Sequence, residues 1–312
     1  VLAFRHHGQI KFVARAGQVL RPPLPPRNRA FELLGELLEL AGERSAVEHQ
    51  LSHHGLSLRL VVNPGTSIAP PLLLMNGIGA RLELMQPLVD ALDPTRTLIR
   101  FDAPGIGGSP RSCRPYRLRR LVKALAAMLE ELGYTQVDVL GLSWGGGVAQ
   151  QFAFTQRAQC RRLVLVSTGT GSIMAPANPR ILTKMLTPSR FTNPSRLLGG
   201  LGQELYGGSM RKDPTLAFAA LKDQKTDTIT TGYFLQLGSA AMWTSLFFLP
   251  LVRKRTLILA GDDDPLVPSI NGQIMHRLMP KSELHIYEGG HVTLITEADE
   301  LAPKIDAFLD AD

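Results

Sequence analysis

Val137-Asp-Val-Leu-Gly-Leu-Ser-Trp-Gly-Gly-Gly147 is the stretch whose reading decides the fold. An apolar strand pattern runs into Gly141-Leu-Ser-Trp-Gly145, and a helical pattern starts near Val148. Strand, sharp turn and helix is the layout of a nucleophile elbow. A serine hydroxyl is a weak nucleophile at its ordinary pKa, so the turn must lift Ser143 clear of the sheet. Gly141 and Gly145 give the crowded backbone room to do so. A bare G-x-S-x-G recurs by chance, so its weight comes from what surrounds it.

Outward from the elbow, strand and helix patterns alternate. Residues 49–54 and 56–62 read as paired strands with His54-Gly55 at the turn. Pro71-Leu-Leu-Leu-Met75 reads as a buried strand, 82–92 as a helix, Thr97-Leu-Ile-Arg-Phe-Asp102 as a strand and 118–132 as a helix. Past the elbow come a helix over 148–157 and a strand over 163–167. Such alternation predicts right-handed crossovers and a mostly parallel sheet with helices on both faces. Catalytic groups should then gather at the strand C-termini. Residues 172–250 break the pattern with Pro, Gly and large apolar groups such as Phe191, Tyr233 and Trp243. An inserted helical lid is expected there, some side chains packing it onto the core and others lining an acyl pocket. Alternation resumes with Arg255-Thr-Leu-Ile-Leu-Ala260, a helix over 270–278, a strand over 283–287 and a last helix ending near Leu309. The expected organisation is a core of 46–171 and 251–312, a lid of 172–250, and an extension of 1–45.

A chain of 312 residues with 44% hydrophobic content can bury a large core. No apolar run approaches the roughly 18 residues of a spanning helix. Cys113 and Cys160 make neither a metal-ligand spacing nor a disulfide framework, so a reducing cytoplasm is expected. The formal charge is +7, and residues 1–30 contribute six basic side chains and no acid. The rest is close to neutral, which argues against a nucleic-acid partner for the main domain. No apolar segment precedes a small-residue cleavage site, so a secretory leader is not expected. Residues 1–45 hold Arg21-Pro-Pro-Leu-Pro-Pro-Arg27 and a short helical pattern with Phe31, Leu34, Leu37, Leu38 and Ala41 on one face. A weakly ordered extension is the simpler expectation, and an anchor to an apolar granule or anionic lipid the sharper one.

Acyl transfer by serine requires a base, an acid that orients it and donors for the oxyanion. In a fold with this elbow the chain order is serine, acid, histidine. His291 lies beyond the terminal strand in the small-residue loop Glu288-Gly-Gly-His-Val292 and is the expected base. His285 and His276 sit on regular elements, where a structural role is the default, and the other five precede the serine. The acid comes from Gly261-Asp-Asp-Asp-Pro265. Like charges packed together cannot all face one imidazole. Asp264 is therefore expected to orient His291, with Asp262 the fallback and the others solvated loop residues or caps. Three adjacent side chains diverge, so a metal site is not expected. Trp144 supplies one oxyanion N–H, and Ile78, in Asn76-Gly-Ile-Gly79 after an earlier strand, supplies the second. Neither that segment nor Pro104-Gly-Ile-Gly-Gly108 completes a dinucleotide fingerprint, and no Walker lysine is present. No cofactor is expected.

The chain resembles the intracellular medium-chain-length poly(3-hydroxyalkanoate) depolymerases of the α/β-hydrolase superfamily. The resemblance runs from about Leu72 to the C-terminus. It rests on Asn76-Gly-Ile-Gly-Ala80, Phe101-Asp-Ala-Pro-Gly-Ile-Gly-Gly108, Gly141-Leu-Ser-Trp-Gly-Gly146, Tyr206-Gly-Gly208 with Arg211-Lys-Asp-Pro214, Trp243-Thr-Ser245 and Ala260-Gly-Asp-Asp-Asp-Pro265. It implies an α/β-hydrolase fold with nucleophile, acid and base at Ser143, an aspartate of the triple-Asp loop, and His291. It also implies a polyester substrate and a cytoplasmic place at granule surfaces. Related synthases carry cysteine at the elbow and dehalogenases carry aspartate, so serine argues for hydrolysis. Two other readings use the same residues: a small-ester esterase or carbon-carbon bond hydrolase, and a granule-binding protein without turnover.

Overall fold

The computed structural model describes two N-terminal strands and residues 46–311, apart from 194, 222, 223 and 225–228. Those strands, β1 (Leu2–His6) and β2 (Gln9–Val13), form an antiparallel hairpin. The reading of 1–45 as an extension did not contain it, although apolar residues alternate there at Leu2 and Phe4 and again at Ile10 and Phe12. The Pro-rich run and the helical pattern over 31–41 lie outside the described residues.

The main sheet has eight strands. They are β3 (Val47–His53), β4 (Leu56–Asn63), β5 (Leu72–Met75), β6 (Leu98–Phe101), β7 (Val137–Leu142), β8 (Cys160–Val166), β9 (Arg255–Gly261) and β10 (Ser282–Tyr287), in the order β10-β9-β8-β7-β5-β6-β4-β3. The six from β10 to β6 run parallel, and β4 is antiparallel to both β6 and β3. The mostly parallel α/β sheet is therefore as expected, with His54-Gly55 turning β3 into β4.

Successive strand residues point to opposite faces, and both faces are covered, so the inner strands are mostly apolar, with Arg100, Asp138, Arg161 and Arg162 the charged exceptions on β6, β7 and β8. Leu73 and Met75 of β5 join a core with helices Leu118–Glu131 and Trp144–Thr155, while Leu72 and Leu74 join the opposite core with helices Gln86–Ala91 and Ala298–Asp310. The strand order reverses between β5 and β7, which pair from Leu72↔Asp138 to Met75↔Gly141. A crevice opens outside the strand ends at such a reversal, and the elbow and the Asn76 loop both emerge there.

Some boundaries differ from expectation; β8, for one, starts at Cys160 rather than 163. The helix after the elbow starts at Trp144 rather than Val148, so it contains all three glycines. The 82–92 segment divides into a 3-10 turn, Leu82–Met85, and the helix Gln86–Ala91. Between β8 and β9 the chain builds helices that include Pro179–Met185, Gly202–Tyr206, Ser209–Lys212, Pro214–Leu221 and Ile229–Ala241. The base of this lid is stitched shut: Ser172 N donates to Trp243 O (2.8 Å) and Ser245 N to Thr170 O (3.0 Å). Phe191, Tyr206 and Tyr233 are buried on the core, whereas Phe234 and Phe247 are exposed. Among the described residues, no helix is long and apolar enough to cross a membrane.

Candidate active site

Ser143 ends β7 and caps the following helix with φ 55° and ψ −117°. A non-glycine residue held there stores about 1–3 kcal/mol of strain, so the surroundings must enforce it. They do so by close approach. A Cβ on Gly141 would lie 2.4 Å from Gly145 O, and one on Gly145 would lie 2.1 Å from Met75 O. Gly146 N and the Thr168 hydroxyl both donate to Ser143 O, at 2.9 and 2.7 Å. The side chain is thereby turned outward at the crevice between β5 and β7.

His291 Nε2 lies 2.9 Å from Ser143 Oγ, and His291 Nδ1 lies 2.8 Å from Asp264 Oδ2. A proton on Nδ1, donated to the carboxylate, leaves Nε2 to accept from the serine hydroxyl. The Asp264 carboxylate is fully buried, a position that an ionised group tolerates only with partners. Its Oδ1 accepts the Leu266 and Val267 N–H groups at 2.9 Å each, which completes its coordination and fixes its plane.

The neighbouring aspartates reach solvent, as expected, and each also accepts a backbone N–H from another loop. Asp262 Oδ1 accepts Gly289 N–H at 2.9 Å and holds the histidine loop. Asp263 binds the lid: Oδ2 accepts from Arg211 Nε (2.6 Å) and Gly208 N (2.7 Å), and Oδ1 from Arg211 Nη2 (3.0 Å). The Arg211 hydrogen bond holds the Asp263 carboxyl below its ordinary range. Of the other histidines after the serine, His276 pairs with Ser282, and burial on β10 lowers His285.

Ile78 and Trp144 flank the serine. A Cβ on Gly77, just before Ile78, would sit 3.7 Å from Ser143 Cβ. Trp144 opens its helix, so its N–H has no acceptor within that helix. Asn76 braces the first loop, its Oδ1 accepting Gly77 N (2.8 Å) and its Nδ2 donating to Arg81 O (2.6 Å). Beneath it, buried Asp102 accepts Leu82 N (2.7 Å), Gly108 N (2.8 Å) and Arg59 Nη1 (3.2 Å), and burial raises its pKa.

The lid supplies partners that the sequence reading did not contain. Gln236 Oε1 accepts Gly79 N–H at 2.8 Å, Trp144 Nε1 donates to Ser239 Oγ at 3.3 Å, and His291 N donates to Tyr206 O at 2.7 Å. The Tyr206-Gly-Gly208 and Arg211 motifs carried a signal for the last of these, because a Cβ on Gly208 would meet Gly290 N at 2.3 Å. For Gln236 and Ser239, on an apolar helix far along the chain, no local signal exists.

Residues 70–298 match the family model of the alpha/beta hydrolase fold. The chain is 44% identical over 253 residues to a poly(3-hydroxyalkanoate) depolymerase of Ectopseudomonas oleovorans, covering 81% of this chain and 89% of that one. It is 28% identical over 233 residues to a 2-hydroxymuconate semialdehyde hydrolase of Pseudomonas putida, covering 69% and 77%. The enol-lactonase of Burkholderia xenovorans LB400 superposes with a TM-score of 0.72 at 20% identity, over 84% of this chain and all of that one, a likeness of fold. The chain belongs to the α/β-hydrolase fold family, alongside the Ectopseudomonas oleovorans poly(3-hydroxyalkanoate) depolymerase.

Proposed function

We propose that this protein hydrolyses the ester bonds of medium-chain-length poly(3-hydroxyalkanoate) through an acyl-enzyme on Ser143. The observation that carries the reading is the hydrogen-bonded line Ser143 Oγ to His291 Nε2 to Asp264, at 2.9 and 2.8 Å, beneath a lid. The 44% identity to a depolymerase supports the polyester substrate. Ser143 Oγ attacks the ester carbonyl while His291 Nε2 takes its proton, and Asp264 stabilises the imidazolium. The Ile78 and Trp144 N–H groups receive the charge on the tetrahedral oxygen, and each such donor is worth about 2.7–4 kcal/mol. His291 returns the proton to the departing hydroxyl end of the polymer. Water, deprotonated by His291, then attacks the acyl-enzyme and frees a 3-hydroxyalkanoic acid or a short oligomer with a carboxyl end. Every step is proton transfer and acyl transfer. The same reading puts the enzyme in the cytoplasm at the surface of polyester granules, in keeping with two unpaired thiols at Cys113 and Cys160.

Incubating the purified chain with medium-chain polymer granules and measuring released 3-hydroxy acids tests the substrate. Ser143→Ala tests the nucleophile: it should abolish both release and labelling by a serine-directed phosphonate. No release from granules by an enzyme that still turns over small esters would reject the polyester reading while leaving the hydrolase intact.

A further inference from the structure

The near-neutral charge of the main domain conceals an uneven distribution. Residues 103–129 hold six basic side chains and no acidic one. Arg111, Arg114, Arg117, Arg119 and Lys123 are exposed, and none of the six enters an ion pair among the described residues. They line two adjoining hollows of about 440 and 620 Å³, which share the wall made by His54 and Arg120, and no carboxylate lines either one.

Local physics opposes this arrangement. The helix Leu118–Glu131 begins here, with Arg117 at its N-cap, no side-chain cap and no acid in its first turn. A helix N-terminus carries partial positive charge and favours acids and capping oxygens, yet this one bears arginines at the cap and in its first turn. Among the described residues only the Arg120 side chain is engaged, donating to His54 O (2.9 Å) and Gly55 O (3.2 Å). An external anion would relieve both the cation repulsion and the uncapped helix end.

We propose that this face docks the protein onto an anionic phospholipid surface. The five uncommitted cations are exposed and strung across two hollows, which suits many headgroups in a plane better than one soluble anion. The lid adjoins this face. Pro104 walls the first hollow, the next residue, Gly105, packs against Gly232 of the lid helix, and that helix exposes Phe234 to 49%. The docking face would hold the lid towards the lipid. The inference does not depend on which ester is cleaved.

The test uses the full chain and co-sedimentation with vesicles of phosphatidylglycerol in phosphatidylcholine, against phosphatidylcholine alone, at low and high salt. The variant is Arg114→Glu/Arg119→Glu/Lys123→Glu, with the same three positions changed to Gln as a milder companion, both checked by circular dichroism. At about fivefold per neutralised cation, the Gln variant should bind roughly a hundredfold more weakly, and the Glu variant more weakly still. Hydrolysis of a soluble ester should be unchanged in both. The proposal is overturned if the variants bind like the wild type, which would assign lipid binding to the basic residues of 1–30. It is equally overturned if uncharged vesicles bind as well, or if an oligonucleotide binds better than either vesicle.

Discussion

Gln236 tests whether the lid takes part in catalysis. Its amide oxygen accepts the Gly79 N–H at 2.8 Å, and the residue is 1% exposed. Gln236→Met keeps the length of the side chain and removes the acceptor. The buried Gly79 N–H is then unpaired, at a cost of about 1–3 kcal/mol in stability. Gly79 adjoins Ile78, so on the proposed mechanism the freed loop should also misaim the Ile78 N–H. Losing such a donor outright lowers kcat by about 10²–10³, which bounds the effect from above, and a displaced donor should still cost roughly tenfold. KM should stay within about twofold, because the lost interaction belongs to the transition state. Steady-state hydrolysis of p-nitrophenyl octanoate, with a thermal melt on the same samples, reads both quantities. Gln236→Glu restores an acceptor and should recover most of kcat. A Met variant that loses stability but keeps kcat refutes the reasoning, and a rise in KM alone would make Gln236 a substrate contact instead.

Asp264→Asn should lower kcat by about 10⁴, because the amide disfavours the required imidazole tautomer. Asp262→Asn should leave kcat within about threefold, because its carboxylate meets Gly289 N–H and not the imidazole. Equal losses in soluble-ester kinetics would reassign the acid. Gly145→Ala places a methyl 2.1 Å from Met75 O and 2.6 Å from Asn76 O. Over-packing of that kind costs about 1–3 kcal/mol, so Tm and activity should fall together, and an unchanged melt would contradict the close approach. Asp263 has a depressed folded pKa through its Arg211 bond, so its clamp is present above the ordinary value of 3.8 and lost as pH falls through the lower folded value. Acid unfolding of Asp263→Asn should lack that component. The difference should stay under about 1 kcal/mol, because the Arg211 and Asp263 side chains are 49% and 43% exposed.

The central strands were legible because burial on both faces makes them short, mostly apolar runs, such as Leu72–Met75, whereas the β1–β2 hairpin was not. The serine, the histidine and the Ile78 loop were legible because each lies at the end of such a run, and the sheet brings those ends together. The helix start at Trp144 was not. Three glycines in succession have poor helix propensity, and the reasons for them are long-range contacts: Gly145 lies against the backbone of Met75 and Asn76, Gly146 against Thr168 and Gly147 against Trp243. Asp264 was preferred in the sequence with Asp262 the fallback, but what Asp262 and Asp263 hold was not legible, for a similar reason. Identical neighbours carry no periodicity, and what separates them is Arg211 in the lid and Gly289 in the histidine loop. The basic face was hidden by arithmetic, since acids elsewhere cancel it in the total.

The insertion between β8 and β9 touches each part of the proposed site: Gln236 at the Ile78 loop, Ser239 at Trp144, Arg211 at the aspartate loop and Tyr206 at His291. It is therefore a poor candidate for an interchangeable part. Grafting this insertion onto a relative's core, or a relative's insertion onto this one, would import a foreign set of struts along with the foreign pocket. Substrate range and turnover rate should be inherited together in such chimaeras, and laboratory evolution towards a new polyester should accumulate changes on both sides of the seam at once.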